Sequence, residues 1–142
     1  MKQFAFSLQK ILNLRKHYED EAKLELGRAV GVLAELENRI FAIVGEQARA
    51  AREQFNPENS TAIMQQYMLY LQRLENTKEQ LFKEAAEAEM VVEEAREKYL
   101  EASRERKVLD KLKEKRQKEY RKFVISEEAK TLDDISPKGL RI

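Results

Sequence analysis

The sequence predicts an all-α protein, a long antiparallel two-helix coiled-coil hairpin whose second helix overhangs the first. Three observations carry this. The 142 residues include only four glycines and two prolines, too few turn formers for a β fold. Charged residues make up 37% of the chain, against about a quarter in an ordinary domain, and Leu, Ala, Glu, Lys and Arg dominate, as in long helices. Apolar residues recur at alternating steps of three and four along two stretches separated by one strong break.

The first helix is expected over about residues 7–54. Its seam runs Leu8, Ile11, Arg15, Tyr18, Ala22, Leu26, Ala29, Leu33, Leu36, Ile40, Ile43, Gln47 and Ala50. Two steps of four in succession, Tyr18 to Ala22 to Leu26, read as a local slip in register. Gly27 and Gly31 lie inside this helix, each costing about 1 kcal/mol relative to alanine. They mark either a bend, a close docking surface or a tolerated soft spot.

The turn is expected over residues 55–60. "NPENST", residues 56–61, combines an Asn-Pro turn signal with Ser60 and Thr61, either of which can cap a new helix.

The second helix is expected over about residues 61–127, with a seam of Tyr67, Leu71, Leu74, Lys78, Leu81, Ala85, Ala88, Val92, Ala95, Tyr99, Ala102, Arg106 and Leu109. Folding at the break pairs the two seams at a constant sum of position numbers: Ala50 with Tyr67, Ile43 with Leu74, Leu36 with Leu81, Ala29 with Ala88, Tyr18 with Tyr99, Leu8 with Leu109. Arg15 and Arg106 fall in the seam at its open end and must snorkel outward along their stems. At 1.5 Å per residue the helices span about 70 and about 100 Å, so beyond about Leu112 the second helix is expected to have no intramolecular partner. Residues 1–127 thus read as one hairpin domain. Residues 128–142, ending in the aperiodic "SPKGLRI", are expected to be a frayed or disordered tail.

The same composition narrows function. The chain has no cysteine, which suits a reducing cytoplasm. No apolar run approaches the roughly 18 residues of a membrane span, and Gln9 and Lys10 interrupt any signal-peptide core. The protein is expected to be cytoplasmic. His17 is the only histidine; with Glu21 it offers two ligands where a structural metal wants four. Glu93-Glu94 and Asp133-Asp134 resemble carboxylate pairs, but a two-helix rod has no concave site to tune them. With no glycine-rich phosphate loop either, the reading is a non-enzyme without metal or cofactor.

Two features remain. Phe41, Val44, Met64, Met68, Leu69, Tyr70 and Phe82 lie off the seam in the half near the turn, an apolar excess that marks either a partner surface or self-association. The stretch "RERKVLDKLKEKRQKEYRKF", residues 104–123, carries ten basic and four acidic residues, while residues 1–103 carry 14 basic and 18 acidic. Positive charge is therefore gathered on the overhang. It suits a nucleic-acid arm neutralising phosphates, a membrane-surface helix, a solvated helix end, or a plug for an acidic or polar protein socket. Four interrupting carboxylates and the lack of a nucleic-acid motif favour the last.

The stretch "FAFSLQKILNLRKHYEDEAKLELG" resembles the start of the FliJ family of flagellar type III export proteins, through Phe4, Phe6, Leu8-Gln9, Leu12, Leu14, Arg15 and Glu19-Asp20-Glu21. "RERKVLDKLKEKRQKEY" is similar to that family's second characteristic stretch, through Arg106-Lys107, Leu109, Leu112 and the basic run to Tyr120. The resemblance covers almost the whole chain. It implies a non-enzymatic, stalk-like coiled coil that docks into the hexameric export ATPase ring, links it to the export gate's membrane protein and recycles export chaperones. It implies a cytoplasmic protein, peripheral to the membrane through partners only. By that analogy Arg104, Arg106, Lys107, Lys111, Lys113, Lys115, Arg116 and Lys118 face the ATPase. "YLQRLENTKEQL" looks like the gate-binding segment, which implies gate contacts by Tyr70, Leu74, Thr77 and Leu81, with Met68 beside them and Val44 and Gln47 as first-helix counterparts. The alternative is a generic coiled-coil scaffold or a nucleic-acid-binding basic helix.

Overall fold

A computed structural model describes residues 3–135. Among them are two helices and no strand: α1, Gln9–Gln54, and α2, Thr61–Ile135, packed against each other as a hairpin. The expected fold class is the observed one. α2 has 75 residues against 46 in α1. It runs eight residues past the expected end near 127, because Glu127, Glu128, Ala129, Lys130 and Leu132 all favour helix and the first strong stop in the sequence is Pro137. The expected frayed segment "SPKGLRI" lies outside the described residues.

The turn is held by side-chain amides. Asn56 Oδ1 accepts from the Glu58 N–H at 3.1 Å. Asn59 Nδ2 donates to the Glu53 and Gln54 carbonyls at 2.6 and 3.3 Å, satisfying two of the orphan acceptors at the end of α1. Ser60, not Thr61, caps α2: its Oγ accepts from the Ile63 N–H at 3.3 Å.

Contacts divide the chain into two compact units that share both helices. One is Ala22–Tyr99, containing the turn; the other combines Met1–Glu21 with Leu100–Ile142. The turn unit has an apolar seam. Leu36, Leu81, Ala85 and Ala88 form one buried cluster with Leu33, Ile40 and Ile43 against it. Ala29, Val92 and Ala95 form another with Leu26 and Leu33. Leu36 and Leu81 share a cluster as expected, and Ala29, Val92 and Ala95 share the next, with Leu26 against it. The seam residues are those the spacing picks out, and Leu26 packs in the cluster of Val92 and Leu33 in that of Ala85.

In the open-end unit the α1 seam corrects the sequence reading. Ile11 and Tyr18, expected in the seam, are 44% and 49% exposed, while Leu12 is fully buried and Arg15 and Glu19 are half-buried. With Leu12 and Glu19 in place of Ile11 and Tyr18, steps of three and four run unbroken from Leu12 to Ala50. There is no register slip. A carboxylate occupies a position where apolarity alone would have chosen its neighbour. The overhang also differs from expectation. Residues 3–8 form a non-helical lead with a turn at Ser7-Leu8. In it Phe6 is buried, and the Phe4 ring lies 5.7 Å from that of Tyr120. α2 therefore does have an intramolecular partner beyond Leu112.

Candidate functional site

The basic stretch of α2 belongs to the open-end unit, where the seam is polar. Arg106 Nε donates to Glu19 Oε2 at 2.6 Å, and its Nη1 to Asp110 Oδ2 at 2.5 Å. The Glu19 and Arg106 side chains are only 16% and 24% exposed. Hydrogen bonds to Glu19, then to Asp110, hold the guanidinium above its already high pKa. Arg15 pairs with Glu105 beside this network, and Ser103 is buried in the same seam. A half-buried arginine with two carboxylate partners fixes alignment, because any shift strands a charge away from water. Of the sequence-assigned ATPase contacts, Arg106 is therefore engaged internally and Lys113 is half-buried. Arg104, Lys107, Lys111, Lys115, Arg116 and Lys118 are exposed. Two of these make only loose same-helix pairs, Arg104 with Glu101 at 3.5 Å and Lys118 with Glu114 at 3.4 Å, of the kind that contributes little.

The turn unit carries the exposed apolar group. Phe41, Leu69, Met68, Phe82 and Val44 are all exposed, Phe41 most of all at 79%. Met64 and Tyr70 are half-buried. Tyr70 Oη donates to Glu46 Oε1, and Tyr67 Oη to Glu53 Oε2, each at 2.7 Å. Arg49 pairs with both glutamates from the same helix. Hydrogen bonds from Arg49, then Tyr70, bring the Glu46 carboxyl down to about 2; those from Tyr67 and Arg49 lower Glu53. The same bonds raise both phenols, so they stay protonated donors. The Arg73 guanidinium lies 5.9 Å from the Tyr70 ring centroid.

The sequence-assigned gate contacts separate in this setting. Val44, Met68 and Thr77 are exposed, Tyr70 and Leu74 half-buried, and Leu81, at 2% exposure, is part of the core. Gln47 is tied across the hairpin: its Nε2 donates to Glu75 at 2.8 Å and its Oε1 accepts from Lys78 at 3.3 Å. Sequence reasoning missed Glu19 as the partner of Arg106, Phe4 as the ring beside Tyr120 on α2, and the burial of Phe6. Continuing the three-four count through a charged residue would have found the first.

These features suit contact with protein surfaces. Among the described residues no group of three or more His, Cys, Asp or Glu could hold a metal; His17 and Glu21 make an exposed pair at 2.9 Å. No buried side-chain nitrogen or oxygen among them lacks a partner, so no interior polar group awaits a ligand. None of their helices is long and apolar enough to cross a membrane.

The profile of the family described as "Flagellar FliJ protein" matches residues 4–139. No curated protein and no solved structure matches the chain.

Proposed function

We propose, because the chain belongs to the FliJ family, that it acts as a stalk between the flagellar export ATPase and the export gate. Membership implies a role in flagellar protein export as a non-enzymatic component. In our reading the basic stretch of α2 docks into the hexameric ATPase ring and the exposed apolar group near the turn contacts the gate protein's cytoplasmic domain. The same hairpin receives emptied export chaperones, and the protein is cytoplasmic, reaching the membrane face only through its partners. One observation carries this reading: two surfaces of opposite character lie on different units, exposed cations on one and exposed Phe41, Val44, Met68 and Phe82 on the other.

Replacing Lys113, Lys115, Arg116 and Lys118 with Glu should abolish stimulation of the ATPase while circular dichroism stays helical. Unchanged stimulation would remove the ring assignment. Replacing Met68 and Tyr70 with Ala should weaken recovery of the gate's cytoplasmic domain in a pull-down; undiminished recovery removes the gate assignment. Tight, steeply salt-dependent binding of duplex DNA would favour a nucleic-acid helix instead.

A further inference from the structure

The cations of the basic stretch are not scattered around α2. Arg104, Lys107, Lys111, Lys115, Lys118 and Lys122 follow one another at steps of three and four. At 100° per residue they fall within a sector of about 80°. All six are exposed. The opposite side of the helix carries Arg106, Leu109, Lys113 and Tyr120, which are half-buried. Arg106 faces Glu19, and Tyr120 lies against Phe4. The row is thus held outward by what the other side does. It extends for about 27 Å with a mean charge spacing of about 5.4 Å, the pitch of an α-helix.

We infer that this row is a docking strip for an acidic α-helix of the partner, read in register along its length. The inference rests on the ring-docking reading above and specifies the face and the partner chemistry. A helix bearing Asp or Glu at steps of three and four repeats its charges at the same pitch, so all six cations meet carboxylates without bending either helix. A bilayer is a poorer fit. Surface helices insert an apolar face beside their cations, whereas Glu114 and Glu119 border this row and Val108 is the exposed apolar residue within its length. Duplex phosphates wind away from a straight row and would meet only part of it.

The test sets two double variants of equal charge change against each other on the full chain: Lys111→Glu with Lys115→Glu on the row, and Arg121→Glu with Lys130→Glu, both exposed on α2 but off the row. The probe is the purified flagellar export ATPase, with circular dichroism to establish that both variants remain helical. The row variant should lose at least about tenfold in affinity and the off-row variant less than about threefold, because reversal of a contacting charge sets like against like whereas a rim change does little. A charge-conserving variant, Lys115→Gln with Gln117→Lys, should also weaken binding, since it moves one cation off the row. Equal losses from the two double variants would overturn the strip while leaving ring docking intact. No loss from either would overturn both. Stronger binding of the unaltered chain to phosphatidylglycerol vesicles than to the ATPase would overturn the choice of an acidic helix.

Discussion

The two ends of the hairpin are held by different chemistry. In the turn unit most seam positions are Leu, Ile, Val and Ala, with Leu36, Leu81, Ala85 and Val92 withdrawn from water, and one polar layer joins Gln47 to Glu75 and Lys78. In the open-end unit it contains Arg15, Glu19, Ser103 and Arg106, with Leu12 and Phe6 as its fully or nearly buried apolar members. Apolar layers stabilise in proportion to the area they bury but discriminate weakly between neighbouring alignments. A charged layer adds little net stability, yet costs heavily when misaligned. The difference is one of weight: the turn unit adds a large apolar layer to its polar links, whereas the open-end unit leans on the Arg106 network to fix its local stagger.

The sharpest way to break the comparison is to attack the apolar end. Leu81→Ala should destabilise the hairpin by about 2–5 kcal/mol, as for other large-to-small core changes; denaturant unfolding at constant m-value measures it. The next effect concerns the charged end. Arg106→Ala should strand Glu19 and speed amide exchange in residues 9–21 and 100–112, leaving the turn unit's exchange little changed. The paired change Glu19→Leu with Arg106→Leu should raise the melting temperature while loosening the stagger. Uniform exchange changes along the whole chain would mean that the two ends do not differ as described.

Smaller still are the helix glycines. A methyl group built on Gly27 or Gly31 meets nothing within 4 Å. Packing inside the chain therefore does not require either glycine, and Gly27→Ala and Gly31→Ala should each stabilise by about 0.5–1 kcal/mol. If either also weakens partner binding, that face of α1 is a docking surface. The smallest effect is acid sensitivity beside the turn. Glu46 titrates at about 2, below its ordinary 4.5, and Glu53 and Glu75 are also lowered. A depressed carboxyl contributes stability that is present above its unfolded value and lost as pH falls through its folded one. Melting temperature should therefore decline as pH drops from about 4.5 toward about 2, and Glu46→Gln should flatten part of that decline.

Most of the seam was legible in the sequence because it obeys one periodicity. From Leu26 to Ala50, and from Tyr67 to Leu109, each residue chosen by three-four spacing is buried or half-buried. Legibility failed where a polar residue held a seam position. Tyr18 is more apolar than Glu19, and only the guanidinium brought in from 87 residues away makes the carboxylate acceptable there. Phe4 and Phe6 were equally hidden, since a non-helical lead has no period to read. For the docking surfaces, exposure of Phe41, Val44, Met68 and Phe82 followed from their being off the seam. The half-burial of Arg106 and Gln47 likewise followed from their seam positions, whereas the choice of Asp110, Glu75 and Lys78 as partners is not encoded by spacing along one helix.

The cross-helix hydrogen bonds also differ in how much chain they enclose. Tyr67 to Glu53 closes a separation of 14 residues, Tyr70 to Glu46 one of 24, and Arg106 to Glu19 one of 87. Loop closure grows costlier with length, and local contacts form first. The chain should therefore zip from Asn56–Ser60 outward. The Arg106 clasp, like the Arg15–Glu105 pair and the Phe4–Tyr120 contact, would be a late joint in refolding and an early one to open, so a newly synthesised molecule acquires its working stagger only after α2 has extended past Asp110.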